Sequence, residues 1–152
     1  MRMKKVLTAL ALTALMSPKL AHAAEPKLVG TFSEWKVYSK ADGNETICYA
    51  LAEPKSKAPS NVRHGDIYFM VANWKSGAAS EQPSLLTGYS LKVSSPPAAR
   101  VGSAKYPMYV AQNEGFIMDN SQERKLVKAM RRGSNMRISA VSQRGTATNY
   151  EF

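Results

Sequence analysis

Only one cysteine, Cys48, occurs in the 152 residues, so no disulfide can close within this chain. Histidine is nearly as scarce, with His22 and His64 the two present. Past residue 23, one cysteine and one histidine cannot supply a zinc ligand set, and the acidic residues lack the spacing of a calcium loop. No G-x-S-x-G elbow is present, and the glycines punctuate turns without forming a phosphate loop before a helix. Acidic charge is also in short supply, with 11 Asp and Glu against 21 Lys and Arg. These absences point away from metal, nucleotide and triad chemistry and toward a binding protein, with no catalytic, cofactor or metal-binding residues assigned.

The first 23 residues are of a different kind from the rest. Arg2, Lys4 and Lys5 precede an apolar run from Val6 to Met16, and Ala21-His22-Ala23 supplies a small-x-small cleavage pattern. The run is too short for a transmembrane helix, so residues 1–23 are expected to be a secretory signal peptide cleaved after Ala23. Cleavage would remove four basic residues (Arg2, Lys4, Lys5 and Lys19) and no acidic ones, leaving 17 basic against 11 acidic and a net charge of +6. Residues 24–152 are long enough to bury a core as one domain. A surplus of positive charge in an exported protein favours anionic lipid, lipopolysaccharide or an envelope protein as partner, and makes nucleic acid an unexpected one. In an oxidising compartment a lone Cys48 is a buried inert thiol, an intermolecular bridge, or a residue whose partner lies outside this sequence.

Beyond the leader the chain reads as strands. "TFSEWKVYS" and "ETICYALAE" flank a polar turn at Gly43-Asn44 and predict a hairpin with a longer loop. "EPKSKAPSNVRH" reads as an exposed loop, and "DIYFMVANW", apolar on both faces, as a central strand covered on both sides. "SLLTGYSLKV" predicts a strand with a bulge at Gly88, "SSPPAAR" a loop, and "KYPMYVAQ" and "GFIMD" two short strands around an Asn113-Glu114-Gly115 turn. One helix is expected, over about 120–132, with Asn120 as N-cap, Glu123 completing a capping box and Gly133 at the C′ position. "NMRISAV" and "TATNYEF" close the chain as strands. The fold class that follows is mainly β: an antiparallel sandwich or partly open barrel of seven or eight strands with one short α-helix.

Two constellations are candidates for binding. Arg124, Lys125, Lys128, Arg131 and Arg132 crowd the one helix and form a candidate anionic-surface site. The plainer reading is that cations near a helix C-terminus are favoured by the helix dipole. Tyr38, Tyr49, Tyr68, Tyr89, Tyr106, Tyr109, Trp35 and Trp74 fall in strands, where they read more simply as core and cross-strand aromatics than as a stacking platform. His64 sits in a Pro-rich loop beside Gly65 and is read as a surface histidine without a role, leaving an enzyme built on it a remote alternative.

Several stretches together resemble the invasion-associated locus B family of exported bacterial proteins. They are "VGTFSEWKVYS", "ICYALAEP", "RHGDIYFMVANW", "LLTGYSLK" and "LVKAMRRGSNMRISAVSQRGTATNYEF", in that order. The resemblance implies a β-rich exported protein of the periplasm or outer membrane, with a surface-exposed accessory of host-cell adhesion or invasion as the alternative role. It brings no catalytic residues. Members of that family usually continue past the position of Phe152 through a further turn and short helix, often with a late cysteine. The resemblance therefore implies a shortened C-terminus here, a missing disulfide partner for Cys48, and an exposed Tyr150/Phe152 edge open to pairing with another chain.

Overall fold

The computed structural model describes residues 24–152; the expected signal peptide lies outside them. Eleven strands and one helix follow in the order β1 (Lys27–Phe32), β2 (Trp35–Asp42), β3 (Glu45–Ala52), β4 (Ser56–Ala58), β5 (Ile67–Trp74), β6 (Gln82–Thr87), β7 (Ala98–Val101), β8 (Ala104–Ala111), β9 (Glu114–Ile117), α1 (Asn120–Met130), β10 (Met136–Val141) and β11 (Ala147–Glu151). All pairings are antiparallel, and the strands form one continuous path, β1-β2-β3-β5-β6-β9-β8-β7-β10-β11-β4. The path does not close on itself. Strand β8 makes the fold-over: its end pairs with β9 in the first layer and its start with β7 in the second. The mainly β class expected from the sequence, an antiparallel sandwich or partly open barrel with one short helix, is therefore what the chain adopts. It has eleven strands where seven or eight were expected, because β1, β4 and β7 were not read as separate strands.

Period-two alternation builds the core. In β10, Met136, Ile138 and Ala140 are buried while Arg137 and Ser139 are exposed, and in β11 Thr148 and Tyr150 point inward. These meet Ile67, Phe69, Leu85, Met108 and Ile117 from the first layer, with Leu126 of α1 joining the same cluster. Phe69, Leu85, Leu126 and Ile138 are fully buried. Large-to-small changes at such positions typically cost about 2–5 kcal/mol.

Several local expectations are corrected. The segment read as a pure loop contains β4, which pairs with β11 through Ala58↔Asn149, Lys57↔Tyr150 and Ser56↔Glu151. Its flanking residues Pro54 and Pro59 lie outside the ladder, so no donor is lost. This short strand occupies the edge of β11 that was expected to be open. Tyr150 is 1% exposed, and Phe152 packs on Phe69 with ring centroids 5.8 Å apart. The prolines of "SSPPAAR" end at Pro97, and Ala98 to Arg100 belong to β7. Strand β6 stops at Thr87, so Gly88 is no bulge; its backbone packs on Gly65, where an added Cβ would lie 2.7 Å from the Asp66 nitrogen. The β2–β3 loop is two residues, Gly43 and Asn44, and the β8–β9 turn is Gln112-Asn113, with Glu114 and Gly115 already in β9. Strand β5 is buried on one face only: Ile67 and Phe69 face the core, while Tyr68, Met70 and Trp74 are half-exposed.

Candidate anion-binding surface

The N-cap of α1 is Asp119, not Asn120. The Asp119 backbone is extended, and its carboxylate accepts from the Gln122 N–H at 2.9 Å. Glu123, expected in a capping box, is instead buried on the inner face with Leu126 and Val127. Burial, reinforced by the nearby Asp119 charge, pushes its carboxyl pKa up, with Arg124 pulling the other way. Gly133 lies one residue past C′; its N–H donates to the Ala129 carbonyl at 2.8 Å. What demands glycine there is close approach, since an added Cβ would meet Val101 Cγ1 at 2.7 Å.

The inner face fixes where the cations go. At about 100° per residue, Glu123, Leu126, Val127 and Met130 share one side of α1, and Arg124, Lys125, Lys128, Arg131 and Arg132 fall within an arc of about 120° on the other. All five are exposed, so the fold brings together every residue of the candidate site. Arg131 makes an ion pair with Glu81, and no second ion pair is found among the described residues. With the two side chains 70% and 36% exposed, that pair is worth little, about 0–1 kcal/mol. Arg131 also borders a groove of about 400 Å³ between α1 and the first layer, floored by Trp35, Val37, Val71, Val127 and Met130.

A second cationic group was not anticipated. Directly opposed positions on three neighbouring strands place Lys105 of β8 beside Arg100 of β7, and Arg100 beside Arg137 of β10. All three side chains are exposed on the outer face of the second layer. Opposed residues lie about 5 Å apart at Cβ, so like charges on them repel across the ladder. Glu151 of β11 is next in the row, opposite Arg137, and its carboxylate accepts from Asn135 Nδ2 at 3.1 Å. Alternation along the observed strands puts each of these cations outward, but only the pairing order makes them neighbours.

The aromatics divide between the two faces. Tyr38 and Tyr49 stack on the outer face of the first layer with centroids 5.4 Å apart, as do Tyr109 and Phe116 at 5.6 Å. Register places Tyr68 and Trp74 on that same outer face, and Trp35 on the inner one opposite Ala52. Tyr106 is buried. Tyr89 enters a hydrogen-bond chain with Tyr150, Thr148 and His64. His64 is thus not a histidine without a role. Its Nε2 donates to the Pro59 carbonyl at 2.8 Å, leaving Nδ1 to accept from the Tyr150 hydroxyl at 3.1 Å, so it clips the 59–64 loop onto β11. Burial pushes the Tyr150 hydroxyl pKa well above the usual phenol range. Cys48 is exposed, so the buried-thiol reading falls; its sulfur lies 3.9 Å from Ser39 Oγ.

Among the described residues no three of His, Cys, Asp or Glu are grouped as a metal would require, and no helix is long and apolar enough to cross a membrane. In comparisons with known proteins, no family model, no curated protein and no solved structure matches the chain.

Proposed function

We propose that the chain is a non-catalytic exported protein of the cell envelope, of the invasion-associated locus B type, which binds an anionic envelope component through the outward face of α1. The observation that carries this reading is the gathering of Arg124, Lys125, Lys128, Arg131 and Arg132 on one exposed arc, with a single ion pair among them. A Lys or Arg held near an anionic lipid surface contributes about 1 kcal/mol. Leaving Arg131 to its partner Glu81, the other four would supply about 4 kcal/mol, a partition coefficient near a thousandfold.

The apolar side of the helix is already used inside, with Leu126 at 0% and Val127 at 6% exposure. Attachment by this face is therefore electrostatic, without insertion of α1 into the bilayer, and salt should reverse it. The test is retention on vesicles of phosphatidylglycerol and phosphatidylcholine, compared between the parent and a variant with all five cations changed to Glu. Loss of retention in the variant, with its circular dichroism spectrum intact, is the expected result. Undiminished retention would remove the helix as the site.

A further inference from the structure

In the row Lys105–Arg100–Arg137 like charges stand directly opposite one another on three adjacent strands, where elsewhere among the described ladders they do so only at Asp42 and Glu45, beside the β2–β3 turn. Like charges directly opposite one another destabilise a ladder, and outward positions on an exposed face tolerate almost any polar residue. Three adjacent strands nevertheless carry cations in register. No ion pair relieves them among the described residues, since Glu151, the one carboxylate in the row, is engaged by Asn135. A local violation without a structural gain is where function is expected to show.

Two further features indicate what the row meets. The next outward row on the same strands is Pro107, Ala98, Ser139, Asn149 and Ala58, all short and uncharged. Long cationic side chains therefore stand beside a row of short ones, of which Ala98 is buried and the other four are exposed. The row also adjoins α1: Gly133, just past the helix, lies against Val101, the neighbour of Arg100 in β7.

We infer that the outer face of β7, β8 and β10 is a second contact with the phosphate groups of an anionic lipid surface, with Lys105, Arg100 and Arg137 as its charge-bearing residues. The complementarity is one of charge: three exposed cations within about 10 Å, given the spacing of neighbouring strands, with no ion pair to any of them among the described residues. The inference deepens the reading above and rests on it, because both require an anionic envelope surface.

The experiment measures binding to vesicles of phosphatidylglycerol and phosphatidylcholine, and thermal stability, for the full chain and three variants. In the row variant, Lys105→Thr, Arg100→Thr and Arg137→Thr, vesicle binding should fall about fivefold per cation, roughly a hundredfold together. Its melting temperature should rise, since the repulsion is gone. In the charge-preserving variant, Arg100→Lys with Arg137→Lys, binding should be kept. The third is the α1 five-residue reversal. Unchanged binding by the row variant together with loss by the α1 variant would overturn this inference and leave the helix reading standing. The reverse pattern would support the row and remove the helix. Loss of binding in the charge-preserving variant would overturn the charge assignment, and binding to soluble polyphosphate but not to vesicles would overturn the lipid surface as its partner. Absence of any binding by the parent would remove both readings.

Discussion

Glu123 carries the sharpest tension between a side chain and its surroundings. It is 8% exposed on the core-facing side of α1, next to the cap carboxylate of Asp119. Both burial and that neighbouring charge favour its neutral form, so its folded pKa stands above the ordinary value of 4.5. The folded chain then holds this proton more tightly than the unfolded chain does. The stabilisation is complete below 4.5 and is lost as pH rises through the raised folded value. Glu123→Gln should therefore flatten this fall in melting temperature over the interval just above the ordinary glutamate range. A parent and variant with parallel pH profiles there would contradict it. The sequence suggested a capping role for Glu123, because the spacing from Asn120 fits one; the true cap one residue earlier moved Glu123 onto the inner face.

Helix α1 illustrates what a local pattern can and cannot settle. Its extent was legible, since an apolar stripe at Leu126, Val127 and Met130 fixes both its span and the face that turns inward. The same stripe fixed, by exclusion, that Arg124, Lys125, Lys128, Arg131 and Arg132 turn outward. Which of two adjacent capping residues serves was not legible, because Asp and Asn cap about equally well and the direction of entry from β9 decides. With Asp119 as the cap, Asp119→Ala should cost about 1 kcal/mol, whereas Asn120→Ala should cost nothing and stabilise by a few tenths of a kcal/mol through helix propensity. Thermal melts of the two variants measure this, and equal losses would contradict the assignment. Strands behaved similarly. Alternation in β10 and β11 was readable residue by residue, whereas the three-residue β4 was hidden between Pro54 and Pro59, where prolines ordinarily mark a loop.

At the scale of the whole molecule, the decisive feature is a single sheet path folded over at β8, with β1 and β4 as its two ends. That path is non-local: β4 lies against β11, and β7 sits between β8 and β10. Periodicity says nothing about such pairings, which is why the Lys105–Arg100–Arg137 row is invisible in the sequence: Lys105 and Arg137 fall in expected strands, but Arg100 was expected in a loop and its strand β7 was not anticipated. The fold also leaves surfaces of two opposite kinds. One kind is cationic, found on α1 and, separately, on the outer face of the second layer. The other is the outer face of the first layer, where Tyr38 stacks on Tyr49 and Tyr109 on Phe116, with Tyr109 45% exposed. The edge strand β1 adds Leu28, Val29 and Phe32 at 51%, 63% and 66% exposure, although a register shift between Leu28 and Gly30 interrupts its ladder with β2.

These surfaces predict different responses to salt, and that difference tests the central claim. Retention of the chain on phosphatidylglycerol-containing vesicles should be measured as ionic strength rises from about 0.05 to about 0.5 M, a range over which the Debye length shrinks from about 14 to about 4 Å. Attachment through the cationic surface predicts strong retention at the low end, steep loss toward the high end, and none on pure phosphatidylcholine at any salt. Retention that persists at high salt, or is equal on neutral vesicles, would contradict the account and transfer the binding role to the aromatic face of the first layer.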